Sequence, residues 1–257
     1  MKLKFLLPAI GFAAMIFTSC KKDDATPAPS NNPPVTTKKL KKITETEGNN
    51  ITVYNLTYDA SGHLASYKNA DNSRYILFSY DVQGNLVGIE EKEDNFKNIY
   101  SYTYQNNIPV SGTFKSRTVV SGQPDELIED DVLTYTVSNA KVIHIRLDML
   151  QSGDISELDL TYTGNNLTKI ESGGTIAYTA LFGFGTHHSA LPKVTNYVLD
   201  QAGFSLQFAS NNEMVSASFD FPGTNFDQTV HTQYTYDSNG YVLTSDDGSS
   251  QMVYEYE

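Results

Sequence analysis

The chain has 257 residues, enough for one large all-β domain or two small ones, and a formal net charge of −12. Loss of residues 1–19 would remove Lys2 and Lys4 and leave 16 basic against 30 acidic residues. Such a surface repels phosphate backbones and argues against nucleic acid as a partner. The single cysteine excludes an intramolecular disulfide, so the core alone must stabilise the fold, and 17 Tyr with 13 Phe and no Trp favour pleated sheet.

Residues 1–19 read as a secretory signal. Lys2 and Lys4 form its charged start, Phe5 to Phe17 is an apolar run too short to span a bilayer, and Thr18-Ser19 precede Cys20. "FTSC" resembles the relaxed lipobox of Bacteroidota lipoproteins, although Phe17 stands where Leu is usual. The resemblance implies lipid on the Cys20 sulfur and a new N-terminus there. Lys21-Lys22-Asp23-Asp24 is similar to the short charged signal that sends such lipoproteins to the outer face of the outer membrane. Two or more acyl chains anchor stably, because each buried methylene contributes about 0.8 kcal/mol. Residues 20–39 continue as a tether with prolines at 27, 29, 33 and 34, a composition that stays extended and joins no core. Lys38-Lys39-Leu40-Lys41-Lys42 closes it, either as a solvated strand start or in contact with anionic headgroups.

Residues 40–257 repeat one short pattern. Leu56-Thr-Tyr58-Asp59-Ala-Ser-Gly62-His-Leu64 is followed by Phe78-Ser-Tyr80-Asp81-Val-Gln-Gly84-Asn-Leu86 and, near the C-terminus, by Tyr234-Thr-Tyr236-Asp237-Ser-Asn-Gly240-Tyr-Val242. Weaker copies centre on Tyr104, Tyr135 and Tyr162, with a partial one at Val198-Leu-Asp200. Alternation puts the apolar residue and the tyrosine on one face and Thr or Ser on the other. Asp bonds backbone N–H groups of a turn, and Gly or Asn three residues later supplies its positive φ. Returning strands then begin, as in Leu86-Val-Gly-Ile89, Val142-Ile-His-Ile145 and Leu167-Thr-Lys-Ile170. This is a β-hairpin with a loop of about four residues, and the tyrosine spacings of 22, 24, 31 and 27 fit two strands and two turns. The units resemble YD (Rhs-type) repeats, and the whole chain resembles YD-repeat-like lipoproteins of Bacteroidota whose function is open. The resemblance implies an all-β antiparallel meander of about seven hairpins, a curved sheet partly rolled or closed into a barrel, and brings no catalytic residue.

Residues 176–192 break the rhythm with an uncharged, aromatic and Gly-containing run, expected to be a short helix or loop that plugs the sheet. It holds His187-His188, the one adjacent histidine pair; His63, His144 and His231 are scattered, without metal-ligand spacing. The acidic runs at 90–94, 125–131 and 246–247 read as solvated hairpin tips without EF-hand spacing, though weak calcium binding there stays open. No nucleophile elbow, phosphate loop or dinucleotide fingerprint occurs, so neither a cofactor nor a catalytic residue is expected. Tyr67, Tyr197 and Tyr241 on returning strands either stack on a carbohydrate or cover the core.

The expected protein is thus a lipid-anchored surface module of the outer membrane, with signal at 1–19, tether at 20–39 and one domain at 40–257. It is expected to bind a glycan or an envelope protein through Tyr67, Tyr197, Tyr241, His187 and His188. The competing readings are a glycan-capture accessory protein and a surface hydrolase with a cleft near 176–192.

Overall fold

A computed structural model describes residues 38–120, 122–175, 177–200 and 204–257. The signal, Cys20 and the tether up to residue 37 lie outside the described residues. The rest is an antiparallel meander of 17 strands. In order they are β1 (Leu40–Glu47), β2 (Asn50–Tyr58), β3 (Leu64–Asn69), β4 (Tyr75–Tyr80), β5 (Leu86–Glu93), β6 (Phe96–Gln105), β7 (Ile108–Thr118), β8 (Glu126–Ser138) and β9 (Lys141–Met149). They continue as β10 (Asp154–Thr163), β11 (Asn166–Gly174), β12 (Tyr178–His188), β13 (Asn212–Asp220), β14 (Gln228–His231), β15 (Gln233–Tyr236), β16 (Val242–Asp246) and β17 (Ser250–Tyr256). One short helix, α1 (Leu206–Ala209), precedes β13.

Apart from β14 and β15, which run on from one another, each strand pairs with its sequence neighbours, and β1 pairs with both β2 and β17, which rolls the sheet into a barrel. Its seam is at Thr232: β14 pairs with β13 on one side of that residue, and β15 pairs with β16 on the other.

The repeated Asp builds the turns as its chemistry requires. Asp59 Oδ1 accepts the N–H groups of Ser61 (2.9 Å) and His63 (2.8 Å). Asp81 does the same with Gln83 and Asn85, and Asp237 with Asn239 and Tyr241. Gly62, Gly84 and Gly240 close these turns at φ of 86°, 83° and 81°. The weaker copies differ from expectation: β6–β7 and β8–β9 turn on only two residues, Asn106-Asn107 and Asn139-Ala140, all at positive φ. That is the tight hairpin geometry whose twist matches its strands.

Every such hairpin also carries a β-bulge at one place. Register slips at Thr57/Tyr58, Ser79/Tyr80, Thr103/Tyr104, Thr136/Val137, Thr161/Tyr162 and Thr235/Tyr236, where one extra residue of the returning strand is accommodated. The returning strands therefore bury residues three apart, such as Leu86 with Ile89, Val142 with Ile145 and Leu167 with Ile170. Tyrosine hydroxyls tie neighbouring hairpins together: Tyr58 donates to Leu40 O (2.7 Å), Tyr80 to Leu64 O (2.9 Å), Tyr162 to Val142 O (2.8 Å) and Tyr256 to Val242 O (2.9 Å).

The outer wall carries ion pairs beside exposed apolar side chains such as Ile143 and Ile155. On β9 and β10, opposite the buried Ile145, Leu147 and Leu158, His144 meets Glu157 and Asp159 at 2.7 and 2.8 Å, and Arg146 meets Glu157 and Asp148. A transmembrane barrel needs an apolar band there, and each Arg or Lys at mid-membrane costs about 2–4 kcal/mol. Among the described residues no helix is long and apolar enough to cross a membrane.

A ring of so many strands encloses more space than inward side chains alone fill. The filler differs from the expected plug. Residues 178–188 are simply β12, while the connection after it, described at 189–200 and 204–211, enters the interior. Val194, Val198, Leu199, Leu206 and Phe208 are buried, Phe208 stands edge-on to Phe78 (5.0 Å) and Phe204 stacks on Tyr100 (5.5 Å). Each fully buried large side chain contributes about 1.5–3 kcal/mol. The partial repeat at Val198-Leu-Asp200 accordingly forms no hairpin but part of this plug; its residues 201–203 lie outside the described ones. Asp200 is buried and accepts the N–H groups of Phe204 (2.7 Å) and Ser205 (2.6 Å).

Two of the acidic runs are likewise not wholly solvated. Alternation turns Glu91 and Asp131 inward, because their neighbours Glu90 and Asp130 take the outer face with Lys97 and Lys115. Asp131 is only 1 % exposed. Burial first, and Glu129 beside it second, push its carboxyl up to about 8. The folded state thus holds a proton that the unfolded chain releases near pH 4, so this group lowers stability progressively from about pH 4 to about pH 8. Asp237, held low by Lys38, and Asp81, held low by Asn85, act oppositely and lose their contribution as pH falls through the acid range. Asp131→Asn is expected to raise the thermal midpoint at pH 8 and to change it little at pH 4, as measured by circular dichroism melts. An equal shift at both pH values would contradict this account.

Candidate functional site

The meander sorts its connections into two ends. The Asp turns after β2, β4 and β15, the tight turns after β6, β8 and β10, the plug connection after β12, and both described termini share one end. Lys39 and Glu257 exchange backbone hydrogen bonds there (3.1 and 2.9 Å). The candidate site is the rim of the plug at this end.

Its centre is a carboxylate that sequence reading passed over. In the pairing of β12 with β13, Phe184 faces Met214 and His188 faces Asn212, so 185–187 bulge opposite Glu213 alone. Glu213 is 3 % exposed. Its Oε1 accepts the Tyr236 hydroxyl (3.0 Å) and lies 3.4 Å from His187 Nδ1, while Oε2 has no hydrogen-bond partner among the described residues. Burial, then the Glu213 carboxylate, push the Tyr236 phenol up to about 12. His187 stacks on Tyr236 with ring centroids 3.8 Å apart. Glu213 thereby positions a His–Tyr pair in which the His187 side chain is 41 % exposed. A Cβ at Gly185 would run into the Glu213 carboxyl, so only glycine fits above it.

Beside this pair the rim continues through two other expected contacts. His188 lies tilted to Tyr241 at 6.2 Å. Tyr241 packs edge-on to Tyr256 (5.4 Å), carries Lys38 Nζ 5.4 Å above its ring, and accepts the Lys38 N–H (3.2 Å). Tyr197 sits elsewhere on the same end, where its hydroxyl donates to Asn107 O (3.3 Å). With Tyr104, Lys193, Thr195 and Asn85 it lines a cleft of about 200 Å³. Burial pulls the Lys193 amine down, and its Nζ donates to Asn211 Oδ1 (2.9 Å). The next residue, Asn212, donates to His187 O (3.0 Å), which links the cleft to the histidines.

Tyr67 does not belong here. Its ring stacks on Tyr54 at 4.6 Å inside the barrel, because the bulge after Leu64 turns it inward, and it covers the core instead of a ligand. His63 stacks on Tyr80 at a neighbouring turn. Among the described residues no three or more His, Cys, Asp or Glu side chains are grouped to hold a metal ion. What was missed, Glu213 and Tyr236, had one local signal: a lone acid in the uncharged stretch Ser210–Phe219, across from the Gly-x-Gly of 183–185.

Comparison with known proteins bears on the scaffold. A model of the RHS Repeat family matches residues 58–91, the span from the first full Asp turn through the second and most of β5. No curated relative matches the sequence. Among solved structures, a porin-like protein from Bacteroides vulgatus ATCC 8482 is similar at a TM-score of 0.55 and 11 % identity, over 86 % of this chain and 99 % of that one. A porin-like protein from Bacteroides uniformis ATCC 8492 is similar at 0.52 and 14 % identity, over 87 % and 99 %. At these identities the likeness is one of fold.

Gly185→Ala is expected to displace Glu213 and cost roughly 1–3 kcal/mol by overpacking. Gly173→Ala, where a Cβ meets nothing within 4 Å, is expected to stay within about 0.5 kcal/mol of the parent. Denaturant melts of both variants check the contrast, and equal effects would remove the steric role of Gly185.

Proposed function

We propose that the protein is a lipid-tethered envelope protein that works as a non-enzymatic binding module, with the plug rim as its ligand-contacting surface. The observation that carries the binding reading is the convergence of His187, His188 and Tyr241, from two distant stretches, on one rim around a buried carboxylate. Flat aromatic faces bordered by amide, amine and carboxylate groups suit the alternating apolar and hydroxylated faces of a glycan. Tyr197 and Lys193 extend the same surface, which favours a chain of sugars over a single ring.

Cys20 carries the lipid in this reading, and the outer membrane is the partner through it. The tether supports it: residues 20–37 reach at most about 60 Å, and the described chain begins at the rim end. The ionic outer wall favours a barrel held at the membrane surface over one embedded in it. From the porin-like description of the two Bacteroides structures we take only an address at the outer membrane.

Cys20→Ala is expected to move the full-length protein from the membrane fraction to the soluble fraction; unchanged partition would sink the lipid claim. Tyr241→Ala and His188→Ala are each expected to weaken binding to purified envelope polysaccharide about three- to tenfold, the scale of one aromatic contact. Hydrolysis of that polysaccharide by the parent protein would instead make it an enzyme and overturn the module reading.

A further inference from the structure

The barrel mouth opposite the rim holds a cavity of about 380 Å³ between the β1–β2 and β3–β4 turns, lined among others by Glu45, Glu47, Asn50, Thr52, Asn69 and Arg74. We propose that this cavity is a second ligand site, which takes a small amine-bearing sugar.

Its size stands at the lower end of small-molecule pockets, which suits one or two sugar rings. Its lining departs from the usual apolar one, since nearly every side chain is a hydrogen-bonding group; Ile51 is the single large apolar contributor. A hydroxyl-rich ligand meets that demand, because each hydroxyl both donates and accepts.

The lining is also held in place before a ligand arrives. Asn69 Oδ1 accepts the Arg74 N–H (3.0 Å), Asn69 Nδ2 donates to Ser73 Oγ (2.9 Å), and the Ser73 hydroxyl donates to Asp71 (2.7 Å). On the other wall Tyr54 donates to Glu45 Oε2 (3.2 Å), and its ring is clamped against Tyr67. Tyr67, which fails as a direct ligand contact, thus backs the wall of this site.

Charge decides the class of sugar. Arg74 is the one cation of the lining; its guanidinium faces Asp94 (3.3 Å), Glu93 (3.6 Å) and the Tyr54 hydroxyl, and Lys92 Nζ stands behind the lining on Ser73 O (3.4 Å). The four carboxylates Glu45, Glu47, Glu93 and Asp94 outnumber these two cations, so the potential in the cavity is negative. An anionic sugar is repelled, a neutral one is accepted, and an ammonium on the ring is drawn to the carboxylates. Both described termini leave from the opposite end.

Titration calorimetry of the full-length protein with glucosamine, glucose and glucuronic acid tests the assignment at neutral pH. Glucosamine is expected to bind tightest and glucuronic acid not at all. The double variant Glu45→Gln, Glu47→Gln keeps an acceptor for Tyr54 and is expected to bind glucosamine about tenfold more weakly, while Tyr241→Ala binds it like the parent. Glucuronic acid binding as well as glucosamine, no glucosamine binding, or the same affinity in the double variant would each overturn the proposal. Loss of glucosamine binding in Tyr241→Ala alone would also overturn it, by moving the ligand to the rim.

Discussion

The extra residue that each hairpin carries opposite its Thr-Tyr step constrains everything else in this barrel. A β-bulge raises local twist and bends its strand. Six of them at equivalent places, at the same end of the meander, curl the sheet consistently until β17 reaches β1. The bulge also lets the first residue of each returning strand and the one three further on face inward together. Between them, the neighbouring tyrosine hydroxyl finds the exposed carbonyl of that first residue, a bond that contributes about 1 kcal/mol. Local twist, core pattern and the bond between adjacent hairpins therefore share one cause.

Closure brings an obligation to fill the interior, and the plug meets it at the cost of the ladder's regularity. Where Leu199 and Phe204 press on β6 to β8, the tyrosine bonds change partner. Tyr135 donates to Leu199 O of the plug (2.8 Å), passing directly over Gly112, where no Cβ would fit. Tyr102 nearby has a buried hydroxyl without a partner among the described residues. The repeat gives up its own bonds where it must receive a foreign segment. The same connection begins at the β12 bulge that shelters Glu213, so the site arises where the repeat is interrupted. Chemistry in a repeated scaffold collects at such breaks, because each regular unit has spent its polar groups on its own turn and neighbours.

Much of this was legible in the chain. Tyr-Asp-x-x-Gly carries its own turn chemistry, and the Asp, Gly and alternating residues behave as their side chains require. The bulge was present too, in the spacing of three within Leu86–Ile89, Val142–Ile145 and Leu167–Ile170; strict alternation would have sent one member of each pair outward. The plug was placed about twenty residues early because an uncharged aromatic run reads equally as a buried strand or as filler. β12 is such a strand, flanked on both sides, and the true plug has a mixed composition with no period. The sequence leaves Tyr67 open between ligand and core, and it puts Glu91 in a solvated run, for a related reason: one bulge upstream reverses the facing of all residues after it. Of the five expected contacts the fold brings His187, His188 and Tyr241 together, since they lie on strands β12 and the β15–β16 turn that meet only through β13. Glu213 has a local signal as the lone acid of its stretch, but its partners Tyr236 and His187 are legible only from that adjacency.

The distribution of charge follows from the same geometry. Alternation assigns one residue in two to the outside, where Thr, Ser, Lys and Glu stand beside apolar residues such as Ile143 and Leu181, and opposite signs pair across strands as at Arg146 and Glu157 (3.0 Å). The inner positions grade from Leu and Tyr near the plug to Glu45, Glu91, Asn98 and Asp131 toward the far mouth. Such grading follows the plug, which packs on apolar inner positions toward one end and leaves the polar ones nearer the opposite mouth. Glu91 shows the balance, its carboxyl raised by burial and partly relieved by Asn98 (3.0 Å). A barrel filled from one end therefore acquires two chemically distinct mouths without any change to the repeating unit.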